Sequence, residues 1–152
     1  MHAFAQTADA VAATRSRLKK AAILEAYFGT LDDADLSRAA LYLSGRTFPL
    51  GDQRALSAGF ANVRDALLLV APEAMGDFDA LLLEHGDVGD AAAVVMARRP
   101  DPAPTLTLAE VAALFEALAA AKGARARSRL MADVLRQTKA IETRYLVKIL
   151  MG

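Results

Sequence analysis

Thr107-Leu108-Ala109-Glu110-Val111-Ala112-Ala113-Leu114-Phe115-Glu116-Ala117-Leu118-Ala119-Ala120-Ala121-Lys122-Gly123 decides the fold class. Thr107-Leu108-Ala109-Glu110 is a capping-box sequence, in which a threonine hydroxyl and a glutamate three residues later can satisfy the free N–H groups of a starting helix. Val111, Leu114, Phe115 and Leu118 then recur at helical spacing as a buried stripe, and the helix is expected to end near Lys122-Gly123. The same punctuation recurs along the chain. It predicts a short helix over 4–13 burying Phe4, Ala8 and Val11. Thr14 is expected to cap a second helix carrying Leu24, Tyr27, Phe28 and Leu31, broken by Gly29 and Asp32-Asp33. A third helix should carry Leu36, Ala39, Ala40 and Leu43 inward and stop at Gly45. Further helices are expected over 59–71 (Phe60, Val63, Leu67 and Val70 inward), 73–84, 89–98, 126–138 and 140–151. The last should bury Ile141, Tyr145, Ile149 and Leu150. No strand and no internal repeat is visible, so the chain reads as an all-α, single compact multi-helix bundle in two roughly equal halves.

The composition agrees. Alanine and leucine are abundant and β-branched residues few, which favours helix. A chain of 152 residues fits one domain, burying roughly 70% of its unfolded surface without staples. Pro100, Pro102 and Pro104 make 99–106 an extended connector, the candidate seam between possible sub-halves 1–98 and 107–152. Cysteine is absent, which excludes disulfides, thiol nucleophiles and zinc–thiolate sites and suits a reducing cytosol. No apolar run reaches membrane-spanning length, and no secretory leader is seen.

The formal net charge of zero hides a sorting of charges. Residues 1–20 carry Arg15, Arg17, Lys19 and Lys20 against Asp9. Residues 21–119 carry six basic and fifteen acidic side chains. Residues 120–152 carry eight basic side chains against Asp133 and Glu142. Such a chain can turn a cationic face toward a polyanion.

Two basic clusters fall where helices start: Arg15-Ser16-Arg17 with Lys19, and the turn Lys122-Gly123-Ala124-Arg125-Ala126-Arg127-Ser128. A helix N-terminus offers free N–H groups and a positive dipole end. Glycine admits a phosphate close to the backbone, and arginine and serine add donors. The same residues equally fit solvated charged turns. In His85-Gly86-Asp87-Val88-Gly89-Asp90, the aspartates read as helix caps. His85 and His2 show no metal-ligand spacing, and the carboxylates of 73–90 form no acid–base pair. No Gly-x-x-x-x-Gly-Lys-Ser/Thr and no Gly-x-Gly-x-x-Gly supports a nucleotide loop.

With those pieces placed, the sequence resembles the N-terminal DNA-binding domain of ATP-dependent DNA ligases, in the bacterial branch related to the eukaryotic replicative enzymes. Four blocks carry the likeness: Thr14-Arg15-Ser16-Arg17-Leu18-Lys19-Lys20 leading to Tyr27-Phe28; Ala40-Leu41-Tyr42-Leu43-Ser44-Gly45-Arg46-Thr47-Phe48-Pro49 with Gly59; the 85–90 turn; and Leu106 through Gly123, closed by Ile141-Glu142-Thr143-Arg144-Tyr145-Leu146-Val147-Lys148. They cover nearly the whole chain. The resemblance implies a non-catalytic domain that binds duplex DNA across the minor groove on both sides of a nick. It implies DNA contacts at Arg15, Ser16 and Arg17 with Lys19, at Ser44, Gly45 and Arg46, at Gly86 and Gly89, and at Gly123, Arg125 and Arg127. Relatives often have a Gly/Ser-rich turn where this chain has the arginines of 123–127. None of the five lysines (Lys19, Lys20, Lys122, Lys139, Lys148) is followed by x-Asp-Gly, the family's adenylylated motif. The chain is therefore expected to have no cofactor and no ligase activity of its own. ATP and a divalent metal would serve the parent enzyme. Its end at Met151-Gly152 reads as a cut between domains. The expected partners are nicked double-stranded DNA and the parent's own nucleotidyltransferase and oligonucleotide-fold domains, with a monomeric, cytoplasmic, nucleoid-associated state. The alternative is a helical protein-interaction module docking an acidic partner. Glu142 and Arg144, two apart on a helix, cannot face each other, so each needs another partner.

Overall fold

Four helices begin on a side-chain cap. Ser16 accepts from the Lys19 N–H (3.2 Å), Asp32 from Asp35 (2.8 Å), Asp87 from Asp90 (2.8 Å) and Thr107 from Glu110 (3.1 Å). In each case an oxygen three residues upstream satisfies an N–H that the helix itself leaves free. The computed structural model describes residues 1–152 as nine α-helices without a strand. They are α1 (His2–Ala12), α2 (Arg17–Phe28), α3 (Asp33–Leu43), α4 (Phe60–Val70), α5 (Phe78–His85), α6 (Val88–Ala97), α7 (Leu108–Ala120), α8 (Ala124–Leu135) and α9 (Ala140–Met151). The all-α expectation holds. No helix is long and apolar enough to cross a membrane.

Several boundaries move. Ser16, not Thr14, caps α2; the Thr14 hydroxyl instead accepts from the Ser16 N–H (3.2 Å), which leaves Arg15 ahead of the helix. The expected helix over 73–84 is a single 3₁₀ turn, Pro72–Ala74, followed by α5. Only the Thr107 half of the capping box forms. In α7, Val111, Leu114, Phe115 and Leu118 are all buried as the spacing requires, but the helix ends at Ala120 because Ala121 is extended. α8 starts at Ala124, directly after Gly123.

The core is one cluster drawn from every part of the chain. Tyr42 is its hub in α3, where the sequence reading placed Ala40. Its ring meets Phe4 of α1 (6.3 Å) and Phe115 of α7 (5.3 Å) edge-on, the geometry favoured by ring quadrupoles. Burial pushes its phenol up to about 12. The most extensive packing joins α6 to α9 and α4 to α8, each pair bridging the proline connector. Residues 1–98 and 107–152 therefore share one core. The connector is pinned along it: Arg99 donates to the Leu135 and Thr138 carbonyls at the end of α8 (2.9 and 2.7 Å), and Leu106 is buried.

In α9 the core face is Thr143, Leu146, Val147, Ile149 and Leu150, together with Glu142. Ile141 and Tyr145, expected inward, are only half-buried. The inward polar side chains find local partners, although Glu142 Oε2 is buried without one. Glu142 Oε1 accepts from the Lys139 N–H (2.8 Å), and the Thr138 and Thr143 hydroxyls meet at 2.7 Å.

Candidate nucleic-acid interface

Ion pairs align α6 antiparallel to α9. Lys148 Nζ lies 2.9 Å from Asp87 and 3.2 Å from Asp90, and Arg144 Nε lies 3.2 Å from Asp90. The start of α6 thus sits beside the last turns of α9. The end of α3 and the start of α2 reach the same place. Lys20, Tyr42, Gly45, Tyr145 and Lys148 line one cavity of about 280 Å³. Three of the four sequence blocks (the start of α2, the Ser44–Arg46 corner and the 85–90 turn) therefore meet at one end of the bundle.

The fourth, the turn before α8, is held elsewhere, against α4. Asn62, buried in the first turn of α4, donates to the Ala124 carbonyl (3.0 Å) and the Ser128 hydroxyl (3.1 Å) and accepts from the Gly59 N–H (3.2 Å). This holds the start of α8 against the start of α4. The loop from Arg46 to Ala58 connects that corner back to Gly45 and lines a groove of about 480 Å³ with Ile149–Gly152. Arg54 clamps the loop: it lies over the Phe48 ring (4.4 Å), bonds Asp52 (2.7 Å) and reaches Glu116 of α7 (3.2 Å).

The individual residues differ in what they leave free. Arg15, Arg17, Lys19, Arg46 and Arg125 are exposed. The Ser16 hydroxyl is occupied as a cap, and Ser44 Oγ donates to the Leu41 carbonyl (2.6 Å). Gly45 (φ +76°), Gly86 (φ +65°) and Gly123 (φ +91°) are exposed left-handed turns with open space around them. Gly89 differs: it is buried in the first turn of α6, against α9, where a Cβ would lie 2.5 Å from the Arg144 carbonyl oxygen. Its place in the structure is helix packing. Arg127 is half-buried and donates to the Ala121 carbonyl (2.9 Å), closing the turn that Gly123 opens.

The ion pairs follow a pattern. Arg38, Arg54, Arg98, Arg136, Arg144 and Lys148 each have a carboxylate partner. Arg15, Arg17, Lys19, Lys20, Arg46, Arg64, Arg99, Lys122, Arg125, Arg127, Arg129 and Lys139 have none. Arg54, Arg98, Arg144 and Lys148 join different elements, while Arg38 and Arg136 pair within their own helices. Most of the unpaired cations stand at the starts of α2 and α8 and the end of α3; Arg64 on α4, Arg99 on the connector and Lys139 ahead of α9 do not. Glu142 and Arg144 find separate partners, as helix geometry requires: Glu142 caps α9, while Arg144 reaches Asp9 (3.2 Å) and Asp90. Burial alone would raise the Asp87 carboxyl, but the Lys148 ammonium and the Asp90 N–H outweigh it and hold it below the usual range. No three acidic or histidine side chains stand close enough to hold a metal ion.

Sequence reasoning missed Lys20, Lys148 and Asn62 as builders of this end. The signal for Lys148 was its place one turn after Arg144 on the same face of α9. The sequence does not mark Asn62, because the two partners that tie α4 to α8 are more than sixty residues away and only the Gly59 N–H is local.

The structure is thus an all-helical bundle with cations lacking carboxylate partners at the starts of α2 and α8 and at the Gly45 corner. The chain belongs to the family described as DNA ligase N terminus, which matches residues 1–152. It is 34% identical to a probable DNA ligase of Opitutus terrae, over 98% of this chain and 18% of that protein. A probable DNA ligase of Koribacter versatilis is also 34% identical, over 100% of this chain and 26% of its own length. A DNA ligase of Methanothermobacter thermautotrophicus is 30% identical over 89% of this chain and 25% of its own length. The chain thus spans a small part of each relative.

Proposed function

We propose that this chain is the non-catalytic DNA-binding part of an ATP-dependent DNA ligase, gripping the phosphates of a duplex across its minor groove on both sides of a nick. The observation that carries the reading is the pairing pattern: the cations at the starts of α2 and α8 and at the Gly45 corner lack carboxylate partners, while Arg54, Arg98, Arg144 and Lys148, which join different elements, are neutralised. Arg15, Arg17, Lys19, Arg46 and Arg125 would contact phosphates through side chains. Ser16, Ser44, Gly45, Gly86 and Gly123 would shape the backbone around them. Arg127 would support its turn, and Gly89 would act by fixing α6 on α9. Contacts of this kind position a duplex without reading bases, which suits an enzyme that must seal any sequence. ATP and a divalent metal would act in the parent's nucleotidyltransferase and oligonucleotide-fold domains, in the bacterial cytoplasm.

The test is a titration with nicked, intact and single-stranded DNA at several salt concentrations. Duplex should bind regardless of sequence, with log affinity falling against log salt by about 0.9 per phosphate neutralised, so that on the order of five contacts gives a slope near −4. Absence of duplex binding at low salt would reject the reading. It would favour a protein-interaction module, for which exposed Leu68 and Leu69 beside Arg125 and Arg129 offer a surface.

A further inference from the structure

The three most exposed large apolar side chains are Leu83 (88%), Leu18 (84%) and Leu50 (82%). Each lies beside a block of the proposed grip. Leu18 stands between Arg17 and Lys19 in the first turn of α2. Leu50 shares a hollow of about 860 Å³ with Ser44 and Arg46. Leu83 is two residues before His85-Gly86. None belongs to the core or packs against it. A leucine this exposed adds little to folding, and within a cluster of cations that lack carboxylate partners it fits a ligand that is both anionic and apolar. The minor groove of a duplex is such a ligand, with phosphates along its edges and deoxyribose hydrocarbon on its walls. Proteins that enter it commonly insert apolar side chains there.

We infer that Leu18 is an apolar contact of the DNA grip, seated against the deoxyribose wall of the minor groove while Arg15, Arg17 and Lys19 hold the flanking phosphates. The inference rests on the DNA-binding reading above. Charge and apolar contact leave different marks on binding. A cation–phosphate contact releases counterions and so contributes to the salt slope; a leucine–sugar contact does not. Leu18 therefore adds affinity that salt does not screen, and Leu50 does the same at the Gly45 corner.

The experiment measures duplex affinity across salt for the whole chain and for Leu18→Ala, Leu18→Met, Leu50→Ala and the double change Arg15→Ala/Arg17→Ala. Leu18→Ala should weaken binding about tenfold, the scale of losing most of one buried aliphatic side chain, at every salt concentration and with an unchanged slope. Leu18→Met should restore it. Thermal unfolding of both should match the parent chain, because the side chain touches no core residue. Unchanged affinity in Leu18→Ala, with a flattened slope in the arginine double change, would overturn the inference and leave the phosphate grip standing; Leu18 would then face another protein surface. An altered slope in Leu18→Ala would also overturn it, because the leucine would be acting through the arginines. If the parent chain binds no duplex at all, the DNA-binding reading itself fails.

Discussion

Gly89 and Arg144 meet where α6 crosses α9, so closely that a Cβ on Gly89 would stand 2.5 Å from the Arg144 carbonyl oxygen and 2.8 Å from Lys148 Cγ. The contact is with backbone, which cannot rotate away. Gly89→Ala should therefore lose about 2–3 kcal/mol, the upper part of the roughly 1–3 kcal/mol range of overpacking in a closed core. Gly86→Ala, three residues earlier, meets open space at φ +65° and should lose only about 1 kcal/mol, for the left-handed backbone. Chemical denaturation of the two variants checks the order; equal losses would contradict it.

The Asn62 side chain is the polar rivet between α4 and α8. Asn62→Ala strips the partners from the Ala124 carbonyl, the buried Ser128 hydroxyl and the Gly59 N–H. A loss of about 2–3 kcal/mol is expected for leaving such groups unpaired. It should appear as a lower denaturant midpoint at constant m-value. An unchanged midpoint would show that the α4–α8 contact is held by apolar packing alone.

Asp87 links stability to acid. Its carboxyl titrates below the ordinary value in the folded chain, so its contribution is complete above the unfolded pKa, about 3.9. The contribution fades as pH falls through the folded value. The stability difference between the parent chain and Asp87→Asn should be steady near neutrality and shrink below about pH 4. A difference that stays constant down to pH 3 would mean that the Lys148 pair does not stabilise the fold.

The helical plan was legible because caps and stripes are local. Thr107, Asp87 and the Val111–Leu118 stripe need only their own helix to be read. The rotation of α9 was not legible, because hydrophobic spacing selects Ile141 and Tyr145 and cannot anticipate that the Lys139 N–H holds Glu142 inward and the Thr138 hydroxyl holds Thr143. The α2 start was ambiguous for a related reason: Thr14 and Ser16 are both good caps, and only the folded backbone shows which one reaches a helical N–H. At the site, charge runs located the cationic ends. Which cations stay free depends on distant carboxylates, such as Asp9 with Arg144 and Asp77 with Arg98 (2.9 Å), and no window of sequence displays those pairings.

In the proposed grip, unpaired cations do the binding while paired ones serve the fold. The direct test compares the salt dependence of duplex affinity in Arg15→Ala/Arg17→Ala with that in Arg98→Ala/Arg136→Ala, which removes two cations already held by Asp77 and Asp133. The first change should reduce the magnitude of the log–log slope by about 1.8, two phosphate contacts at about 0.9 each, and the second should leave it unchanged. Equal effects from both would contradict the account, because net charge rather than the arrangement of free arginines would then govern binding.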